Sequence, residues 1–310
     1  MLLNTTIPWQ YIFGKVKREL TLVVGYALTI AVIQEVFKLH HISVPISVPM
    51  MLGTIISLLL AFRSNQAYDR WWEARIIWGA VVNDSRTFTR QLLTFTRTGV
   101  EDDPEAKFAI TRMVRRQIAW CYALGQSLRK KNDFSQVERL LSRKEWLYIQ
   151  PYKNMPNALL KLHGRDVKLA YKNGWINEYQ QVAIDETVSR LCDSMGKCER
   201  IKNTVFPATY SLYIHFAIVL FIILLPFSLV EYFGLLEVPM VTAIAASFLL
   251  VEKMAIHLQD PFESKPTDTP MTAIAKSIEF DLLQMLEEEK EEDPFDSVLQ
   301  QIEQKSFFVL

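Results

Sequence analysis

The sequence has few of the residues that would indicate a disulfide-stapled or zinc-binding protein. It contains three cysteines in 310 residues, Cys121, Cys192 and Cys198. Three is too few for a disulfide framework. The pair Cys192 and Cys198 does not have the spacing of zinc ligands, and no histidine lies near it. We therefore expect reduced, buried thiols in a cytosolic segment, where disulfides are rare.

The sequence also lacks the short motifs of common enzyme chemistry. It has no glycine-rich phosphate loop, no Gly-x-Ser-x-Gly and no His-Glu-x-x-His. The adjacent His40 and His41 lie at the edge of an apolar run, where a polar interfacial role is commoner than metal binding. The acidic run 287–293 is more typical of a solvated helix end than of a metal site. The expectation is no enzyme: no catalytic residue, no metal and no cofactor.

The chain also has no net charge, since 34 basic residues balance 34 acidic ones. The total therefore gives no argument for a nucleic acid partner. Half of the residues are apolar and 22% are charged. That mixture predicts an uneven chain in which apolar blocks alternate with a charged block.

Four apolar runs supply the blocks, at 20–37, 42–62, 203–230 and 238–251. A helix rises about 1.5 Å per residue and the hydrocarbon core is about 30 Å thick, so about 20 residues are needed to cross it. The first two runs fit, and the third is long enough to tilt. The fourth is short, and we expect it to span only when packed against the others.

Basic residues predict the orientation of these spans. The stretch 63–210 holds 25 of the 34 Lys and Arg residues, whereas the connection between the third and fourth runs offers Glu231 and Glu237 and no base. Basic flanks stay on the cytosolic side. Both termini and the long middle segment are therefore predicted to be cytosolic, in a multi-pass protein of the plasma membrane (the inner membrane of a bacterium).

The middle segment has a helical pattern, with apolar residues three and four apart, as in Val114, Ile118 and Cys121. We expect a turn at His163-Gly164, a helix pair after Gly174 and a further helix over 271–286. The predicted fold is all-α. It comprises an N-terminal segment with two spans (1–62), a large cytosolic helical domain (63–205), two more spans (206–256) and a C-terminal cytosolic loop, helix and tail (257–310).

The second span is the most informative. Thr54, Leu58 and Phe62 are four residues apart and share one helical face. Several copies of this face around an axis would form a narrow apolar throat, which gates by dewetting. The alternative is that the face packs against a neighbouring helix. The span continues without a helix breaker into the charged, aromatic stretch FRSNQAYDRWWEAR (62–75), which is unusual for a simple membrane anchor.

That stretch resembles the signature of the bestrophin family, especially its bacterial form, through Arg70, Trp71, Trp72, Glu73 and Arg75. Two further blocks are similar to the family and occur in its order. One is Cys-Glu-Arg-Ile at 198–201, followed by Thr and Pro at 204 and 207. The other is Gln-Asp-Pro-Phe at 259–262.

The resemblance implies an all-helical homopentamer in lipid, with four further copies of the chain as partners and a pore on the five-fold axis. Counting back from Arg70 by the family's spacing gives a neck of Phe62, Leu58 and Thr54. Thr54 is polar where relatives have an aliphatic residue, so the neck is expected to be wider or wetter there. A second constriction at the cytosolic exit falls near Tyr179, for which an ordinary exposed or core tyrosine is the alternative.

One family feature does not carry over. Animal bestrophins hold calcium in an acidic clasp after Pro-Phe, but here 263–268 reads Glu-Ser-Lys-Pro-Thr-Asp. Calcium requires several oxygen ligands. We therefore expect no calcium site.

The sequence thus predicts a channel for small monovalent ions, with chloride and other anions slightly favoured on the family pattern. A sodium- or potassium-selective channel of the same family is the first alternative, because an apolar neck carries no fixed charge. A non-conducting membrane scaffold or regulatory protein is the second.

Overall fold

The computed structural model describes residues 14–37, 43–96, 103–204 and 206–287. His40, His41 and the acidic run beyond Glu287 lie outside these ranges. The described residues form ten α-helices and one 3₁₀ turn, Gly234–Leu236. The helices are α1 Lys17–Phe37, α2 Ser47–Thr94, α3 Pro104–Arg129, α4 Ser135–Leu140, α5 Arg143–Ile149, α6 Met155–Lys172, α7 Glu178–Asn203, α8 Ala208–Phe233, α9 Glu237–Gln259 and α10 Met271–Met285.

The chain divides into two compact units. The spanning unit consists of 5–71 and 205–260, and the hydrophilic unit consists chiefly of 72–204 and of the chain from 261 onward. Four described helices, α1, α2, α8 and α9, are long and apolar enough to cross a membrane. Each of the four predicted apolar runs therefore overlaps a helix of spanning length, although the second and third helices begin at Ser47 and Ala208, a few residues after their runs do.

The helix that contains the fourth apolar run is longer than the run itself. Helix α9 has 23 residues and extends past both ends of the apolar run. Glu237 and Glu252, which bound that run, both lie within the helix and are buried. The core of the spanning unit is built from small and branched side chains, among them Ala27, Ile56 and Ala245. The Tyr26 hydroxyl donates to the Ile223 carbonyl (2.8 Å), which ties α1 to α8.

The hydrophilic unit forms around α3. Asp103 caps this helix by accepting from the Glu105 N–H, Pro104 occupies its first turn, and Lys130 ends it in a left-handed conformation. The residues that gave the helical pattern are buried, with Val114, Ile118 and Cys121 each 0% exposed. Helix α10 closes this core, and the Tyr122 hydroxyl donates to Glu279 on it (2.7 Å).

Two local expectations were wrong. Helix α6 runs through His163-Gly164 without a turn, and a single 26-residue helix, α7, follows Gly174 instead of a pair. The interior glycines at 164 and 196 cost about 1 kcal/mol each relative to alanine. Packing of Leu159, Val167 and Leu191 in the core outweighs that cost.

All three cysteines are free thiols, as the sequence predicts. Cys121 and Cys198 are buried, and burial raises the pKa of each to about 12. Cys192 is exposed, so the expectation of a buried thiol was wrong at that position.

Candidate pore-lining helix

Helix α2 carries both the expected neck and the signature motif. It runs for 48 residues from Ser47 to Thr94, with Pro49 in its first turn, where a proline has no intrahelical N–H to lose. At 1.5 Å per residue it is about 72 Å long, more than twice the thickness of the hydrocarbon core. The apolar segment and the charged, aromatic segment are therefore parts of one helix.

The three expected neck residues lie on the face of α2 that the rest of the protomer leaves uncovered. Leu58 is 59% exposed, Phe62 is 56% exposed and Thr54 is also exposed. On the opposite face Ile56 and Leu60 are buried. The face is thus apolar yet not packed against the described part of the same chain.

Hydroxyl groups on this segment donate to their own helix. Thr54 Oγ1 donates to the Met50 carbonyl (2.9 Å), and Ser57 Oγ donates to the Gly53 carbonyl (2.7 Å). Each hydroxyl proton is therefore committed to the backbone. Oxygen lone pairs are what the Thr54 hydroxyl presents to its surroundings.

Gly53 marks a close approach on the packed side of α2. A Cβ at this position would lie 3.4 Å from the Phe221 ring, which itself packs edge-on against Phe248 with ring centroids 5.1 Å apart. This contact holds α2 next to α8 and α9 one residue before Thr54. An alanine at this position would make an ordinary van der Waals contact with the ring.

Arg63, next to Phe62, is part of a buried charged group that sequence analysis missed. Arg63 is 2% exposed, and its Nη1 lies 4.0 Å from Oε1 of Glu252, which is also buried. His215 Nδ1 lies 3.2 Å from both carboxylate oxygens of Glu252, and the Arg63 guanidinium lies 5.8 Å from the centre of the Phe206 ring. Ionisable groups inside a membrane segment are rare and usually functional. His215 and Glu252 were both visible as polar interruptions of apolar runs, but their pairing across three helices was not.

The signature residues divide between the two units. In the spanning unit, Arg70 Nε donates to the Gln259 carbonyl (3.1 Å), and the Trp71 ring lies against Tyr68 with centroids 5.8 Å apart. The arginine thereby fixes the end of α9 to α2. It acts as a structural tie between two helices.

In the hydrophilic unit, Glu73 pairs with Arg200 (2.5 Å). Both side chains are substantially exposed, so this ion pair contributes little to stability. Trp72 is 49% exposed, and Arg75 is half-buried. About half of the Trp72 side chain is therefore accessible.

Tyr179, the expected cytosolic constriction, lies in the first turn of α7. It is 79% exposed, and Val182 one turn later is 61% exposed. The turn is fixed by a capping box in which Asn177 and Gln180 exchange hydrogen bonds. The ring therefore projects from a well-defined helix start and is not a core tyrosine.

The hydrophilic unit contains a second buried charged group, which sequence analysis also missed. Arg116, 0% exposed, donates to Glu145 (2.8 Å from Nε to Oε1) and to Asp166 (2.6 Å), and Arg112 donates to the same oxygen of Asp166 (2.8 Å). Burial raises the pKa of Glu145, but Arg116 and Ser142 lower it by more, so the net shift is downward. This group is closely paired and joins α3, α5 and α6.

His163 lies in the same core as an uncharged ring. It is 0% exposed, packs edge-on against Phe88 (4.8 Å between centroids), and neither ring nitrogen has a hydrogen-bond partner. Burial, and then the nearby Arg116, hold the pKa of His163 well below its ordinary value. The ring is therefore neutral at physiological pH.

Neither buried group forms a metal site. Within the described ranges no cluster of three or more His, Cys, Asp or Glu side chains is arranged to hold a metal ion. A cavity of about 340 Å³ lies in the hydrophilic unit beside the Arg112–Asp166 pair. Its walls are mostly apolar, and none of the expected neck, constriction or signature residues lines it.

Comparison with known proteins identifies the family. The family model described as bacterial/fungal bestrophin protein matches residues 5–284. The chain belongs to the bestrophin family. A voltage-dependent anion channel-forming protein of Nostoc sp. is 31% identical over 245 residues, covering 77% of this chain and 78% of the relative. The protein YneE of Escherichia coli K12, which has the same descriptive name, is 28% identical over 269 residues and 86% of both chains.

Solved structures agree with this bestrophin assignment. A crystal structure of a bacterial bestrophin homologue from Klebsiella pneumoniae matches with a TM-score of 0.82 at 27% identity. The match covers 89% of this chain and 100% of that one. The predicted family and all-helical fold are therefore confirmed. The chain is an integral membrane protein of a channel-forming family, and not an enzyme.

Proposed function

We propose that this bestrophin is one subunit of a homopentameric channel that passes small monovalent anions such as chloride. Ions cross the bilayer through a neck on the five-fold axis, lined by Thr54, Leu58 and Phe62 of each α2. They reach the cytosol past a second constriction at Tyr179. The partners are four further copies of the chain, membrane lipid and the permeant ions.

The observation that carries this proposal is the uncovered face of α2. Leu58 and Phe62 are more than half exposed although the helix lies in the apolar unit. Side chains of this kind must meet lipid, a second copy or a pore. A continuous helix of 48 residues suits a pore lining, because it extends well beyond the bilayer.

Anion passage is favoured by the names of the relatives, which are anion channel-forming proteins. It is also compatible with the charge near the neck. Arg63 follows Phe62 directly, and its Nε and Nη1 have no hydrogen-bond partner. A basic group at this point makes the local field less unfavourable for anions.

A specific observation favours the cation alternative. The Thr54 hydroxyl proton is bonded to the Met50 carbonyl, so a ring of these hydroxyls would present lone pairs. Lone pairs coordinate sodium or potassium and do not bind chloride. The end of the neck at Thr54 is therefore where selectivity for the sign of charge is tested best.

For orientation, we propose that both termini and the hydrophilic unit are cytosolic and that the membrane is the inner membrane of a bacterium. The basic residues of 63–210 support this side, because positive residues are retained in the cytosol.

Planar-bilayer recording of the purified protein under a KCl gradient tests the proposal. A reversal potential near the chloride equilibrium value is the expected result, and a value near that of potassium selects the cation alternative. Absence of current from protein shown to be an assembled oligomer contradicts the channel proposal and favours the scaffold. Oligomeric mass in detergent is measured in parallel, and a monomer or dimer contradicts the pentamer.

Truncation of the neck is expected to raise single-channel conductance. In Leu58→Ala and Phe62→Ala the side chains that narrow the proposed throat are shortened, so more water and ions enter it. Leu60→Ala is the matched control, because Leu60 is buried on the opposite face. It should lower thermal stability, by about 2–5 kcal/mol in unfolding free energy, without widening the pore. Unchanged conductance in both neck variants means that the pore runs elsewhere.

A further inference from the structure

In the described part of the spanning unit, the side chains of Gln34 and Glu237 are buried and have no hydrogen-bond partner. Gln34 on α1 is 3% exposed and Glu237 at the start of α9 is 0% exposed. Both amide atoms of Gln34 and both carboxylate oxygens of Glu237 lack a hydrogen bond. Buried polar groups are nearly always paired, so four orphaned atoms in one small unit require an explanation.

The packing of α1 on α9 brings the two residues to the same layer. Glu19 at the start of α1 pairs with Lys253 near the end of α9 (2.8 Å), and the helices pack together along their lengths. If the two helices were parallel, this ion pair would place the start of α1 beside the end of α9, and only the last turns of α9 would contact α1. The helices are therefore antiparallel, with residue numbers that sum to about 272 facing each other.

The buried residues confirm this register. Each buried apolar residue of α1 has a buried counterpart on α9 at the expected position. The pairs are Val23 with Leu249, Ala27 with Ala245, and Ala31 with Val241. The next layer places Gln34 opposite Glu237 and Val238.

An ionised Glu237 would be costly in this position. A buried carboxylate without a partner loses its hydration and gains nothing in return, so such groups are neutralised. The N-terminus of α9 favours a negative charge, but that effect is small beside the cost of full burial. A metal ion is a poor solution, because calcium takes six to eight oxygens and these two side chains supply three.

One proton on Glu237 would allow the two amide atoms of Gln34 and the two carboxyl oxygens of Glu237 all to form hydrogen bonds. We propose that Glu237 and Gln34 form a proton-binding site in which the carboxylic acid O–H donates to Gln34 Oε1 and the Gln34 amide N–H donates to the other carboxyl oxygen. The two side chains would rotate toward each other to complete this cyclic pair. The proton thereby clamps the end of α1 to the start of α9.

Among the described residues at this end of the unit, none is basic. On α1 the neighbour Glu35 is exposed, and on α8 Tyr232 is exposed. The charged pair of α9, Glu252 and Lys253, lies 15 and 16 residues further along the helix, roughly 23 Å away.

Infrared spectroscopy of the full chain in lipid nanodiscs at neutral pH tests the site. A protonated carboxyl gives a C=O band separate from those of carboxylates and amides. This band is expected in the wild type, lost in Glu237→Gln, and shifted in Gln34→Leu, where the acid loses its partner. Glu35→Gln is the matched control, because it removes the adjacent exposed carboxyl and should leave the band unchanged.

Stability gives an independent readout that does not depend on ion conduction. Because the folded state binds this proton more tightly than the unfolded state, the melting temperature of the wild type should fall as pH rises from about 4.5, the ordinary pKa of a glutamate, until the folded state releases the proton. Glu237→Gln, which keeps an amide in place of the acid, should fall less. If that variant does not fold, the band shift in Gln34→Leu and the alkaline loss of the wild-type band decide the question.

Two results overturn the proposal. One is a spectrum that Glu237→Gln leaves unchanged, which means that Glu237 is ionised. The other is a wild type without the band whose melting temperature rises with added sodium or calcium, while that of Glu237→Gln does not. That outcome assigns the site to a metal ion.

Discussion

The two units bury charge in different ways. In the hydrophilic unit Arg116 makes hydrogen-bonded ion pairs with Glu145 and Asp166, the latter at 2.6 Å. In the spanning unit Arg63 and Glu252 are equally buried, yet they approach no closer than 4.0 Å. Both groups leave some buried atoms without a hydrogen-bond partner, among them Nη1 of Arg63 and Nη1 of Arg116, so the difference lies in the distances between opposite charges.

The difference separates a structural role from a functional one. A group of closely paired charges such as that of Arg116 holds its helices in one arrangement. Removal of one member destabilises the fold, because it leaves the other charges buried without a partner. Incompletely paired groups in a membrane segment keep the capacity to respond to ions or protons. We therefore expect a larger coupling free energy between Arg116 and its carboxylates than between Arg63 and Glu252.

Removal of Arg116 is expected to have the largest effect. Arg116→Met leaves two buried carboxylates with less compensation and should reduce the free energy of unfolding by about 3–5 kcal/mol. Thermal or denaturant unfolding of the solubilised protein measures this. Arg139→Ala is the control, because the Arg139–Glu279 pair is half exposed and should contribute less than about 1 kcal/mol. Equal losses in the two variants would contradict the structural role of Arg116.

Double-mutant cycles compare the two groups directly. We expect a coupling free energy of about 3 kcal/mol between Arg116 and Asp166, measured with Met and Asn replacements. For Arg63 and Glu252, measured with Met and Gln, about 1–2 kcal/mol is expected, because the distance is longer and the Phe206 ring shares the guanidinium. A larger coupling free energy for Arg63 and Glu252 than for Arg116 and Asp166 would contradict this difference between the two units.

The smallest effect is a pH dependence from His163. Its pKa is depressed in the folded state, so its contribution to stability is fully present above about pH 6.5 and is lost progressively below that value. The loss should reach at most about 1.4 kcal/mol per pH unit. His163→Phe removes a ring whose nitrogens have no partner, and it should flatten the slope of stability against pH between 5 and 7. An unchanged slope would mean that other groups govern acid sensitivity.

Elements dictated by local physics were predictable from the sequence. The bilayer sets a minimum length for a spanning helix, so the apolar runs located all four candidates. The continuous helix through 62–75 followed from the absence of proline and glycine in that stretch. The helix at Met271–Met285 was also expected, within one residue at its end.

Features that depend on tertiary packing were not predictable. Gly164 suggested a turn, but burial of the neighbouring His163 and Leu162 keeps α6 helical. Glu237 and Glu252 marked the limits of an apolar run, yet they lie buried within α9. Glu252 lies beside Arg63 and His215, both of which are distant from it in sequence.

The exposure of Cys192 gives the protein a natural attachment point for a fluorophore. Burial and nearby acidic residues raise its pKa, so a maleimide reagent should be used at mildly alkaline pH. The other two thiols are buried and have pKa values of about 12, which leaves them almost entirely protonated and slow to react. Each chain should therefore carry one dye without mutagenesis. Bleaching steps of single particles then count the subunits directly, and five steps would correspond to the proposed pentamer.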